Sequence, residues 1–391
     1  MTVLFFTNEY NHPKLPPVGG LGTFIKTLST ELTKRGHQVI IFGQSKKNGI
    51  HFFDEQIEVK MIQDYRKNIP FAKHINSILK RIGFGLFLPM RERKYIAREF
   101  HKFISSSDKK VDLIEANDFG GYFIELGNEI PLIIRCHGSA TLFNTYFSYR
   151  FSPIIEQLEK QSFKMVDDII AVSKFSASST ATVFDKAKID VIYNGIDTNI
   201  FNPKDSSPII PYSIFFHGNL IEQKGVKIIC EVFNEIIKAQ PKATLHLIGR
   251  GKKYWNYLRE HVLTHPDSAF YYDSIEYTQL PKVISQANVA LFPSFGENLP
   301  LVILEAMAME KPVVMSNIGV SQEIIEHGID GYIANNQGEY VQTILDLFNN
   351  PDLAQSIGQK AREKVVAKFS NDRMVDESID YYQKIITQKT I

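Results

Sequence analysis

Two glutamates stand eight residues apart in the stretch Pro293-Ser294-Phe295-Gly296-Glu297-Asn298-Leu299-Pro300-Leu301-Val302-Ile303-Leu304-Glu305-Ala306-Met307-Ala308. The stretch follows the apolar run Val289-Ala290-Leu291-Phe292. It therefore leaves the carboxyl end of a strand, where open α/β sheets bind ligands. Pro300 suits the first turn of a helix, where its missing N–H costs nothing. The N–H groups of Asn298, Leu299 and Leu301 would then face an anion that the helix dipole also favours, and a diphosphate suits that position. Glu305 lies among Val302, Ile303, Leu304, Ala306 and Met307, so its carboxylate must find partners or suffer a heavy desolvation cost. Either it makes a core ion pair or faces solvent, or it accepts two adjacent hydroxyls such as those of a ribose. A wholly helical interval from Glu297 to Glu305 would span about 12 Å, on the order of the distance from a ribose across a diphosphate to a sugar ring. On that reading the two carboxylates hold the two ends of one nucleotide sugar.

Other residues of matching chemistry follow other apolar runs. Gly19-Gly20 comes after Val3-Leu4-Phe5-Phe6 in a loop rich in Pro and Gly. Taken alone it is a generic phosphate loop, and it lacks the Gly-x-Gly-x-x-Gly spacing of a nicotinamide enzyme. His137 follows Leu132-Ile133-Ile134-Arg135-Cys136 and precedes Gly138-Ser139. It is either a hydrogen-bonded structural histidine or a group aimed into a site, and its place after a strand favours the second. Lys224 is a solvated loop lysine or a phosphate contact, and its position after the run Ser213–Gly218 favours the contact. The sequence contains no Asp-x-Asp pair and no His, Cys or Asp cluster at metal-ligand spacing. Phosphate charge thus falls to Lys224 and backbone N–H groups, and neither a metal nor another cofactor is expected.

These residues need a scaffold, and the apolar runs supply its grammar. Val3–Thr7, Val39–Gly43, Val111–Ile114, Leu132–Cys136, Asp168–Val172 and Val191–Tyr193 read as short buried strands separated by helical pattern. Phe24, Ile25, Leu28 and Leu32 recur at helical spacing, with Gly36 placed as a C-terminal cap. A second series begins at Ser213–Gly218 and continues with Thr244–Gly249, Val289–Pro293 and Pro312–Met315. The 391 residues exceed one compact core. The expected class is α/β, with a domain at 1–205, a second at 206–372 and a C-terminal helix at 373–391 returning to the first.

Composition excludes several classes. The 44% apolar and 22% charged fractions are those of a globular protein, and a net charge of +1 gives no field for gathering nucleic acid. Two cysteines are too few for a disulfide framework or a structural zinc site, which fits a reducing, cytoplasmic setting. The N-terminal apolar run is too short for a signal-peptide core, and no run approaches the roughly 20 apolar residues that span a bilayer. Residues 60–102 are an outlier, with eleven Lys and Arg against Asp64, Glu92 and Glu99, and with Gly83-Phe84-Gly85-Leu86-Phe87-Leu88-Pro89 inside. They are a solvated helical face or a segment for an anionic membrane or a charged acceptor, so peripheral placement at the inner face of the membrane stays open.

The pattern Glu297, seven residues, Glu305, then Ala306-Met307-Ala308 resembles the donor motif of glycosyltransferase family 4, whose members are retaining enzymes of the GT-B fold. Further landmarks occur in the right order, over residues 3 to about 335. Pro17–Phe24 resembles the family's glycine loop at the donor phosphates, so Gly19 and Gly20 are implied donor contacts. Arg135–Ser139 resembles the segment whose histidine, here His137, lies near the transferred sugar. Val191–Phe201 resembles an interdomain landmark. Lys224-Gly225 resembles the pair whose lysine contacts the diphosphate, and Ile248-Gly249-Arg250-Gly251 a loop by the nucleotide. One departure stands out: Gly218-Asn219 replaces the usual Gly-Arg, leaving phosphate charge to Lys224, the helix N-terminus and Arg250.

The resemblance implies two Rossmann-like doubly wound domains facing across a cleft, with the acceptor side first and the donor side second. It implies transfer from a nucleotide-diphosphate sugar, UDP before GDP on family frequency, to a glycan, lipid-linked sugar or protein hydroxyl in the assembly of cell-surface glycan, glycolipid or glycoprotein. Glu297 would orient a sugar hydroxyl, His137 would touch the same sugar, Lys224 and the helix N-terminus would stabilise the leaving diphosphate, and Glu305 would hold the ribose. The other readings are a non-catalytic nucleotide-sugar-binding subunit, encouraged by Asn219, a nucleotide-sugar epimerase, and a phosphorylase, which needs a pyridoxal-binding lysine and a far longer chain.

Overall fold

The computed structural model describes residues 1–45, 48–81, 83–127, 129–147, 149–205, 207–273 and 275–390, so Ile82 of the basic stretch and Ser206 of the linker lie outside it. The chain forms two compact units, Met1–Ile192 with Val375–Ile391, and Tyr193–Met374. Both are parallel sheets wrapped by helices, the α/β class that buried apolar runs alternating with amphipathic helices dictate.

The first unit holds β1 (Thr2–Phe6), β2 (Gln38–Ser45), β3 (Ile50–Asp54), β4 (Ile57–Gln63), β5 (Leu113–Asn117), β6 (Leu132–Cys136), β7 (Ile169–Ala171) and β8 (Asp190–Val191). They pair in the order β3-β4-β2-β1-β5-β6-β7-β8, all parallel except β3 against β4. Every residue of β1 is buried, as a strand covered on both faces requires. The helix Gly20–Lys34 buries Phe24, Ile25, Leu28 and Leu32 on one face. It stops at Gly36, whose left-handed φ of 81° lets its N–H and that of His37 reach the carbonyls of Thr33 and Leu32.

Two features of this unit depart from the sequence reading. The hairpin β3–β4 was not expected, because its turn, Glu55-Gln56, carries neither Gly nor Asn and Glu55 itself takes a positive φ of 53°. Strand β5 runs past Ile114 into Glu115, whose carboxylate is buried but receives Arg135 from the neighbouring β6 through Nε at 2.8 Å and a second nitrogen at 3.0 Å. The helix Asn371–Thr390 supplies Ser378 and Tyr382 to the same cluster, at 3.0 and 3.2 Å from Arg135, while the Tyr382 hydroxyl donates to Glu115. A buried ion pair is costly unless its remaining donors and acceptors find partners, and here the chain's last helix supplies them to Arg135 Nη2 and Glu115, while Arg135 Nη1 has no hydrogen-bond partner among the described residues.

The second unit holds β9 (Ser213–His217), β10 (Thr244–Ile248), β11 (Ala269–Tyr272), β12 (Val289–Phe292), β13 (Val313–Ser316) and β14 (Tyr332–Ala334), in the order β11-β10-β9-β12-β13-β14, all parallel. The edge strands β11 and β14 are four and three residues long, too short to leave a pattern. Residues 193–205, assigned to the first domain by sequence, group with this unit. The Ile196 N–H donates to the Phe369 carbonyl at 2.8 Å, and the Asn371 N–H returns a bond to Ile196 at 3.0 Å. Among the described residues no helix is long and apolar enough to cross a membrane.

Candidate functional site

In the second sheet the strand order reverses between β9 and β12, and at such a switch point the loops leaving the two strands diverge and open a crevice. The loop after β9 carries Lys224 in the turn Glu222–Lys224, and the loop after β12 carries Glu297. Their side chains meet there, Lys224 Nζ lying 2.5 Å from Glu297 Oε1. The approach depends on Gly225, which has a φ of 67° and whose missing Cβ would lie 2.0 Å from the Pro293 carbonyl oxygen. The Phe295 N–H donates to the Gln223 carbonyl at 3.0 Å, fixing one loop on the other.

The loops after β9 and β10 are fitted together in the same way. The Gly218 N–H donates to the Ile248 carbonyl at 2.9 Å and the Leu220 N–H to the Arg250 carbonyl at 2.7 Å. A Cβ on Gly249 would sit 2.0 Å from the Gly218 oxygen, so this close approach excludes any side chain there. Asn219 and Arg250 are both exposed on this rim.

Glu305 is buried on the helix Leu301–Ala308, and the partner that its burial demands is His217, the last residue of β9, with Nε2 at 2.9 Å from Glu305 Oε2. Both core pairing and a hydroxyl-binding role were open for this carboxylate, and the structure supplies the pairing through one oxygen. The helix begins at Leu301, with Pro300 as the preceding cap in an extended conformation (ψ 109°), one residue later than the sequence suggested. Only half of the interval from Glu297 to Glu305 is therefore helical, and the 12 Å span of a continuous helix does not apply. Asn298 and Leu299 are buried in the loop before it.

The first unit has its own switch point, between β1 and β5. Gly19 and Gly20, after β1, are exposed and face open space at the uncapped start of the helix Gly20–Lys34, whose first turn holds no acidic residue. The tight position in this loop is Gly22, where a Cβ would press on Val18. His137, beyond β6, packs edge-on against Phe24 of that helix, ring centres 4.5 Å apart. Burial, helped by Arg135, pushes its imidazole down to about 3, so it is neutral near pH 7. Its backbone is fixed by Asp118, after β5, whose carboxylate accepts the N–H groups of His137 at 3.0 Å and of Gly138 at 3.0 and 3.2 Å. Glu159 does the same for Gly120, Ala140 and Thr141. Burial, with Glu159 second, pushes Asp118 up to about 7. A cavity of about 360 Å³ opens beside the glycine loop, with Glu9, Gln44, Asp64 and Glu92 among its polar lining. Its one guanidinium, Arg66, is engaged with Glu92 at 3.2 Å.

Within the second unit the structure thus brings Lys224 to Glu297, and the rim of Asn219 to that of Arg250. Within the first it ties His137 to the helix that starts at Gly20. Three residues of these sites were not singled out by sequence. His217 ends a strand inside an apolar run, and the rule that a buried Glu305 needs a donor was its one available signal. Asp118 and Glu159 act on backbone N–H groups, which leaves no pattern of side-chain types. Among the described residues no three His, Cys, Asp or Glu side chains stand together in a way that could hold a metal ion.

Residues 18–200 match the family model described as Glycosyltransferase Family 4, and residues 211–350 the one described as Glycosyl transferases group 1. The chain is 23% identical to the N-acetyl-alpha-D-glucosaminyl L-malate synthase of Bacillus anthracis over 95% of both chains. Its fold is that of the sucrose-phosphate synthase of Thermosynechococcus elongatus (TM-score 0.77, 16% identity, 99% of both chains). It is equally that of Anabaena Alr3699/HepE, solved with UDP and glucose (TM-score 0.72, 17% identity, 98% of this chain and 100% of that one). These neighbours are GT-B proteins, and the fold of this chain is GT-B.

Proposed function

Since the chain belongs to glycosyltransferase family 4 and is a glycosyltransferase, we propose that it moves a sugar from a uridine-diphosphate donor to a hydroxyl acceptor with retention of anomeric configuration and without a metal ion. The observation that carries this reading is the meeting of Lys224 and Glu297 at the switch point, next to the start of the helix that bears Glu305. A cation and the start of a helix together balance a leaving diphosphate electrostatically.

In the proposed mechanism the bond between the anomeric carbon and the diphosphate oxygen breaks, and its electron pair leaves on the diphosphate. Lys224 and the first N–H groups of the helix Leu301–Ala308 stabilise that charge. Glu297, which keeps its contact with Lys224, accepts a hydroxyl of the sugar on its other oxygen. The acceptor oxygen attacks from the leaving-group face, and its proton passes to the departing phosphate, so no separate carboxylate base is required. Glu305 takes a ribose hydroxyl on the oxygen that His217 leaves available. His137 enters as a neutral hydrogen-bonding group toward the sugar and not as an acid. Asn219 leaves one cation fewer at the phosphates, and Gly19, Gly20 and Arg250 complete the proposed donor contacts.

The uridine preference is supported by the UDP held in HepE, with guanosine as the alternative. The acidic cavity beside the glycine loop favours a neutral, hydroxyl-rich acceptor over a carboxylate or phosphate ester. A place in cytoplasmic assembly of surface glycan, glycolipid or glycoprotein fits both, and the buried thiols of Cys136 and Cys230 suit a reducing compartment. The test is turnover of UDP- and GDP-sugars with added chelator, the product anomer being read by NMR. Retained configuration with UDP-sugar in chelator supports the proposal. Donor binding without turnover would favour the binding-subunit reading, and interconversion of the donor sugar the epimerase.

A further inference from the structure

The first unit carries a second concavity, whose lining shares no residue with the cavity beside the glycine loop. It is a groove of about 800 Å³ whose lining includes Tyr65, Phe84, Phe87, Arg91, Lys94 and Arg98 and, among the described residues, no acidic one. The three cations stand at i, i+3 and i+7 of the helix Phe87–Ser106, one face of it, while the opposite face buries Ile96, Ala97, Phe100 and Phe103. The Arg91 guanidinium lies 4.8 Å over the Phe87 ring.

Beside the groove runs the helix Ala72–Arg81. Ile75 and Ile78 stand at i and i+3 on it, and Phe71, just before its start with a left-handed φ of 55°, adds a third apolar side chain that the rest of the unit leaves exposed. Phe71, Ile78 and Phe84 are 79%, 58% and 62% exposed. Among the described residues Lys80, Arg81, Arg91 and Lys94 have no acidic side chain at ion-pair distance. A solvated helical face accounts for the cations but not for the phenylalanines, since monomers rarely gather large exposed apolar side chains in one place. Glu92 and Arg93 of the same stretch are buried structural residues, Arg93 bonding the Gly120 and Gly121 carbonyls. Removing that pair from the count leaves the outward charge almost wholly positive.

We propose that this face docks on an anionic lipid bilayer. Phe71, Ile78, Phe84 and Phe87 enter the boundary between headgroups and acyl chains, and Arg91, Lys94 and Arg98 meet lipid phosphates from the groove. The combination of exposed apolar side chains with a mainly cationic border, in which Arg98 pairs with Glu99 at 3.3 Å, matches an interface that is apolar within and negative at its surface.

The experiment is co-sedimentation of the full chain with vesicles of phosphatidylcholine alone and of phosphatidylcholine mixed with phosphatidylglycerol, at low and high salt. Binding is expected to the mixed vesicles only and to weaken with salt. Each cation near such a surface is worth about fivefold, so Arg91→Ala with Lys94→Ala should lose about 25-fold. Phe84→Ser with Phe87→Ser should lose binding at both salts, and both variants should turn over donor with a soluble acceptor at the parent rate. Absence of binding to mixed vesicles, or binding that survives both variants, overturns the proposal. So does a parent chain that sediments as a dimer and a Phe84→Ser, Phe87→Ser variant that is monomeric, because a second copy would then be the occupant.

Discussion

Replacing Glu297 by glutamine should tighten nucleotide-diphosphate binding while it slows transfer. The Lys224 ammonium that a diphosphate needs is held by the Glu297 carboxylate, 2.5 Å away. A phosphate oxygen bonded to the same nitrogen stands roughly 5 Å from that carboxylate, since two contacts of about 2.5–3 Å meet there. At an effective dielectric of about 20 the repulsion is about 3 kcal/mol. Lys224 is 27% exposed and Glu297 12%. Screening at such a half-open site reduces the figure to about 1 kcal/mol, or about fivefold in Kd. Glutamine keeps the shape and an oxygen for Nζ but drops the charge. Titration calorimetry with UDP reads the first effect, and turnover, slowed about 10²-fold by loss of sugar orientation, reads the second. Weaker UDP binding in Glu297→Gln, or transfer at the parent rate, would refute the reasoning.

Other perturbations probe other parts of the site. Gly225→Ala must place a Cβ 2.0 Å from the Pro293 oxygen at a positive φ, and should cost upwards of about 2 kcal/mol in urea unfolding. His217→Leu leaves the buried Glu305 oxygen without its donor and should cost about 1–3 kcal/mol. It should also weaken UDP binding but not binding of inorganic pyrophosphate, and equal losses for both ligands would count against a ribose contact. Burial pushes the Asp118 carboxyl up from its ordinary 3.8 to about 7, so between these values the folded state alone keeps the proton. The stability it contributes is full below about 4 and lost as pH rises through about 7, and Asp118→Asn should flatten that slope in urea midpoints taken across the window. In acceptor competition a neutral glycoside should outrun L-malate or a sugar phosphate, and preference for either anion would contradict the acidic cavity as the acceptor site.

How much of this was legible in the sequence depends on which interactions leave a trace in residue type. Long apolar runs exposed the central strands, because a strand covered on both faces must be apolar throughout. Strand β5 was cut short at Glu115 because its partner Arg135 lies twenty residues on, in another strand, and no local pattern announces that pairing. The hairpin β3–β4 hid behind a turn without glycine. Glu305 was conspicuous as a carboxylate in an apolar helix, yet its donor His217 lies eighty-eight positions earlier. The meeting of Lys224 with Glu297 required the strand order, which sequence does not print.

The two ends of the chain share one unit while residues 193–374 form the other, and this has a consequence for the order of assembly. The entry and exit of the inserted unit are laced together at Ile196, Phe369 and Asn371, with the Gly195 N–H resting on the Met374 sulfur at 3.2 Å. A growing polypeptide can thus complete residues 193–374 while the earlier segment still lacks its last helix. Arg135 waits 247 residues for Tyr382, a loop whose closure is entropically slow if the intervening chain is loose. Once the insert has folded and its ends are laced, that long loop is shortened to a few residues of path, and capture of the final helix becomes a nearly local event. A chain truncated before Val375 and released from the ribosome should therefore hold a folded second unit and an unfinished first one.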